Sequence, residues 1–180
     1  VRYFVTATDS ANRTARLPLF PDPASAEYYG TVVQPDYTGS PLPVVHWFVE
    51  NFAAANTDAG TRASLAYDGE FYDNVAARIR GDYTRRFEKK SYKVDFTREH
   101  LFRFSPAAGR VEEINLNSTY TDRAYIRPLL AWETYRAAGV ADSLSFPVRM
   151  QRNGAFHSVA ILIEQLDADY LERHDLDPEG

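Results

Sequence analysis

The chain has 180 residues, enough for one domain of ordinary size, and its 44% hydrophobic and 25% charged content is that of a folded globular protein. A formal charge of -5 excludes a general nucleic-acid binder, and the absence of cysteine excludes disulfides, a thiolate nucleophile and Cys-based zinc sites. No run approaches the roughly 20 apolar residues that cross a bilayer, so no membrane span is expected.

Val1 to Thr8 places apolar residues at odd positions, the period-2 pattern of a half-buried strand. Asp9 to Asn12 supplies a turn, and Arg13 to Leu17 fits a returning strand. A lone hairpin is marginal in water. It reads as the end of a preceding β-sandwich-like module over residues 1–18, with a Pro-rich linker over 19–41 and the main domain over 42–180. The alternative is an edge hairpin of the same domain. Val1 lies inside an alternating pattern and the polar tail from Asp175 has no clear cap, so both ends are expected to continue.

Strand patterns follow at Val44–Val49, Arg62–Tyr67, Phe71–Arg80, Ser91–Phe96, Val111–Leu116, Phe146–Gln151 and Ala155–Ile163. Asp68-Gly69 and Asn153-Gly154 are two-residue hairpin turns, because both positions of such a turn need positive φ. One long helix is expected after a turn capped at Thr121 or Asp122. It starts near Arg127 with Pro128 in its first turn and ends at Gly139. Its apolar stripe runs through Tyr125, Ile126, Leu129, Leu130 and Ala137. A shorter helix is expected from Asp167 to about His174. The fold class is therefore α+β: a largely antiparallel sheet with one inserted long helix.

Alternation puts Arg78 and Arg80 on one face of their strand, and Lys93 on the polar face of the next. The connecting loop begins at Gly81 and carries Arg85, Arg86, Lys89 and Lys90. Free backbone N–H groups beside Lys and Arg suit a polyphosphate, and a solvated basic loop is the alternative. Glu133 falls in register with the helix stripe, where a carboxylate either pairs with a lysine of the sheet or reaches out to water. His46, His100, His157 and His174 share no metal-ligand spacing. The acidic run Glu164, Asp167, Asp169 and Glu172 fits a helix N-terminus better than a metal site, so no metal ligand is assigned.

Tyr72 to Gly81, followed by Lys89 to Phe96, resembles the hallmark stretch of the CotH kinase family, the spore coat protein H-like atypical kinases. Leu116-Asn117-Ser118, the helix from Ile126 to Val140, Arg152-Asn153-Gly154 and Ala160 to Asp167 match further blocks in the same order. The resemblance implies the N-lobe of an atypical protein kinase. Such an enzyme uses ATP with Mg²⁺ or Mn²⁺ to phosphorylate Ser or Thr of secreted, coat or surface proteins. It implies nucleotide contacts from Arg78, Arg80, Gly81 and Lys93, with Lys90 able to replace Lys93. Glu133 or Arg127 would complete the ionic network, and Glu164 and Gln165 would lie at the hinge near the base. An extracellular, cell-surface or spore-coat location is implied. The family's catalytic and metal-binding aspartates are expected beyond Gly180, so the chain alone is expected to be inactive. Asp82 to Arg86 departs from the small polar residues many members carry after the loop glycine. A non-catalytic surface scaffold of the same fold is the competing reading. A carbohydrate-binding module using Tyr67, Phe71 and Tyr72 is a third.

Overall fold

The alternating N-terminal pattern forms β1 (Arg2–Tyr3) and β2 (Val5–Thr8), and β2 folds back onto β3 (Thr14–Leu17). The computed structural model describes residues 1–33, 40–106 and 108–179, so residues 34–39 of the expected linker lie outside the described residues. β4 (Tyr29–Gly30) pairs with β1. Ahead of it, the chain is tied to the main domain by Asp73. This carboxylate is 1% exposed and accepts the backbone N–H groups of Glu27 and Tyr28 at 3.1 and 2.9 Å.

The main domain is built from β5 (Val44–Val49), α1 (Phe52–Ala55), β6 (Thr61–Tyr67), β7 (Glu70–Arg80) and β8 (Ser91–Asp95). A small hairpin of β9 (Phe102–Arg103) and β10 (Arg110–Val111) follows, then β11 (Glu113–Asn117) and α2 (Arg127–Ala137). The last elements are β12 (Ser145–Arg152), β13 (Ala155–Glu164) and α3 (Ala168–Arg173). Both Xaa-Gly dipeptides make their turns: Asp68 and Gly69 have φ of 48° and 79°, Asn153 and Gly154 of 49° and 87°.

Seven strands close into a barrel in the order β11-β13-β12-β5-β6-β7-β8, and β11 seals it by pairing with β8 as well as β13. All pairs are antiparallel except β12 with β5. Alternation then sends one side of each strand inward. Val45, Trp47, Leu65, Val75, Ala77, Tyr92, Val94, Ile114, Leu116, Met150 and Leu162 belong to one core cluster among the described residues. Phe102 of β9 and neighbouring Phe104 extend that core through ring contacts with Tyr67, Tyr72, Phe96 and Phe146.

This architecture corrects the expected α+β sheet with a long inserted helix and kinase N-lobe resemblance. The domain is mostly β, a closed barrel, and the helices among the described residues span only 4, 11 and 6 residues. α2 begins at Arg127, after a turn in which the Asp122 carboxylate accepts the N–H groups of Ala124, Ile126 and Arg127. It buries no residue, however, because inward side chains of the strands already fill the core. Leu130 is 49% exposed on it.

Candidate functional site

With Ala77, Ile79, Tyr92, Val94, Ile114 and Leu116 buried, the alternate residues of β7, β8 and β11 stand on the outer face of the barrel. The registers set them in rows: Arg78 beside Lys93 beside Asn115, and Glu113 beside Asp95. Arg80 lies beside Ser91 at the end of β7, where the loop begins.

Lys93 has a side chain only 15% exposed, and its ammonium is in contact with the Glu113 carboxylate and 3.7 Å from Asp95 Oδ1. Arg78 Nε lies 3.5 Å from Asp95 Oδ2. Burial pushes the Asp95 carboxyl above its usual pKa range, and the cations of Lys93 and Arg78 oppose that push. Two cations thus meet two carboxylates, and the middle of the row is close to neutral.

Arg80 is different. It is half-buried, donates to Asn117 Oδ1 at 2.8 Å, and has no carboxylate within 4.0 Å among the described residues. Burial depresses its pKa, but guanidinium keeps its charge across any working pH. It opens onto a pocket of about 480 Å³ between the β7–β8 loop and the residues that follow β11. Gly81, Thr84 and Phe87 form one wall, Ser118 to Thr121 the other, with Ser91 between them. The Ser91 hydroxyl donates to Ser118 Oγ at 3.3 Å and accepts the Ser118 N–H at 3.0 Å. Phe87 stacks on Tyr120 across the mouth, with ring centroids 4.9 Å apart. Gly81 has φ of 98°, and a Cβ there would stand 2.0 Å from Thr84 Oγ1.

Lys90, Arg85 and Lys89 of the basic loop already have partners within the protein. Lys90 Nζ donates to the carbonyls of Arg85 and Phe87 at 2.6 and 2.7 Å. Arg85 pairs with Asp58 at 2.6 Å, and Lys89 reaches the Tyr125 hydroxyl at 3.2 Å. Gln165 joins the outer row by accepting from Asn115 Nδ2 at 2.8 Å. Glu164 is 2% exposed and lies apart from that row. Arg173 grips it with bonds of 2.9 and 2.6 Å, and the Leu144 N–H adds a third at 3.1 Å. Glu133 is exposed on α2.

The fold therefore brings Arg78, Arg80, Gly81, Lys93 and Gln165 onto one face and leaves Lys90, Glu133 and Glu164 outside the row. Sequence reasoning missed Glu113 as the partner of Lys93. Glu113 holds a regular outward position in the Glu-Ile-Asn-Leu-Asn alternation of β11, which gives its face but not its partner. The places of Asn117, Ser118 and Thr119 beside Arg80 likewise depend on β11 closing the barrel against β8. Among the described residues no group of three or more His, Asp or Glu side chains is arranged to hold a metal ion.

The inner spore coat protein H of Bacillus subtilis (strain 168) is 29% identical over 103 residues, which cover 57% of this chain and 27% of that protein. The chain thus spans about a quarter of the length of this curated relative. The family model described as CotH kinase protein matches residues 77–180, from the second half of β7 onward and across the site, and with more than half of its length so matched the chain belongs to that family.

Proposed function

We propose that the chain is the nucleotide-binding part of a CotH-type phosphoryl transferase, which moves a phosphoryl group from ATP, with Mg²⁺ or Mn²⁺, to Ser or Thr of coat or surface proteins. The observation that supports this reading best is the Lys93–Glu113 contact on the outer face of β8 and β11. Phosphoryl transfer is catalysed by positioning and charge, and a lysine oriented by a carboxylate beside further cations is a recurring part of such sites. Arg80 and its pocket fit the phosphates, because a half-buried guanidinium with no carboxylate within 4.0 Å among the described residues calls for an anion. Lys93, outside that pocket's lining and held by Glu113, then serves the transfer step and not the holding of the phosphates. Similarity to an inner spore coat protein supports a spore-coat or surface location.

The complete gene product, heated with and without ATP and Mg²⁺, tests the reading. Binding should raise its stability by about 2.7 kcal/mol when ATP is a hundredfold above Kd. Lys93→Met should reduce phosphoryl transfer to a coat-protein fraction far more than it reduces that stabilisation. A folded protein that gains no stability at millimolar ATP leaves the coat scaffold as the account of this chain.

A further inference from the structure

We infer that the pocket under the β7–β8 loop is the seat of the terminal phosphates, and that Arg80 with the hydroxyl cluster after β11, rather than Lys93, recognises the anion. This inference rests on the nucleotide-binding reading above and assigns the place within it. Charge carries the first step. Lys93 and Arg78 are already matched by Glu113 and Asp95, so an anion beside them meets little net positive charge. Arg80 is half-buried, and among the described residues it makes one hydrogen bond, to a neutral amide oxygen. The remaining guanidinium donors suit two oxygens of one phosphate.

The second step is independent of charge. Thr119 has φ of 47°, an outlier for a β-branched residue, and among the described residues its buried Oγ1 has no hydrogen-bond partner. That strain and unmet hydroxyl lie on the wall of the pocket that Arg80 also lines, beside a guanidinium with no carboxylate within 4.0 Å among the described residues. The pocket, at about 480 Å³, holds a polyphosphate comfortably. The stacked rings of Phe87 and Tyr120 join its two walls.

Calorimetric titration of the complete gene product with inorganic tripolyphosphate and with ATP tests the assignment. Arg80→Met should weaken tripolyphosphate binding by at least about tenfold, the scale of a lost charge-assisted pair. Thr119→Ala and Asn117→Ala give smaller losses and keep the test open should Arg80→Met not fold. The paired variant Lys93→Met/Glu113→Gln removes the lysine without changing local net charge, and should shift tripolyphosphate affinity less than about threefold. ATP binding that survives Arg80→Met but is lost in the paired variant overturns this assignment and leaves the nucleotide reading standing. Tripolyphosphate binding that depends on Arg80 in a protein indifferent to the adenosine portion upholds the seat and overturns nucleotide specificity. No binding of either ligand to folded wild-type protein overturns both.

Discussion

Replacing Arg173 by Met should be among the most damaging single changes outside the core. Its guanidinium makes bonds of 2.9 and 2.6 Å to the two oxygens of Glu164 and one of 2.6 Å to the Asp142 carbonyl. Glu164 itself is 2% exposed, so the variant leaves its carboxylate buried, with the Leu144 N–H as its remaining hydrogen-bond donor among the described residues. Removing one member of a buried pair costs about 3–5 kcal/mol, most of it the penalty on the charge left behind. For a chain of this size that corresponds to a fall in Tm of roughly 6–20 °C. The double variant Glu164→Gln/Arg173→Met removes both charges and should recover about half of the loss. Urea unfolding of the wild type, both single variants and the double variant closes the cycle. An Arg173→Met cost below about 1 kcal/mol, or strictly additive single changes, would refute the view that this pair clamps α3 and the segment 142–144 to the end of β13.

A second prediction concerns acid. Burial alone would raise the Glu70 carboxyl, but hydrogen bonds from Arg110, Tyr72 and His100 outweigh it and hold the pKa down at about 2, against an ordinary 4.5. A depressed carboxylate contributes stability that is present above pH 4.5 and lost as pH falls toward 2, so Glu70→Gln should flatten the stability–pH curve in that window. A curve of unchanged slope would show that other carboxylates govern acid unfolding. A third concerns Asp73, which also accepts the Ser64 hydroxyl at 2.8 Å and lies 3.8 Å from Arg62. Asp73→Asn should leave β6 and β7 protected from hydrogen exchange while the Glu27 and Tyr28 amides exchange at least about tenfold faster, the scale of a weakened hydrogen bond to a charged acceptor. Unchanged protection of those two amides would show that other contacts hold the segment.

Part of the site is legible in the sequence. Arg78, Arg80 and Lys93 reach one face because residue parity along a strand is a local property, and their neighbours Ala77, Ile79, Tyr92 and Val94 are apolar. Glu133 shows the limit of the same kind of reasoning. It sits in register with Leu129 and Leu130 on α2, yet a helix stripe is buried only where a partner surface is free, and here the strands fill the core themselves. By residue type and position Lys90 is as good a phosphate ligand as Lys93. The conformation of the loop, with its short helical turn at Tyr83–Arg86, commits that ammonium to the carbonyls of Arg85 and Phe87.

The amino-acid sequence alone determined the elements whose cause lies within a few residues. These are the two tight turns that need positive φ at Asp68-Gly69 and Asn153-Gly154, the alternation of the strands beside them, and the start of α2 where Asp122 caps the preceding turn. Tertiary structure decided the parallel pairing of β12 with β5, the closure of β11 on β8, and with it the partners of Lys93 and Arg80. Those contacts join residues far apart along the chain, and period-2 patterning carries no information about which strand edges will meet.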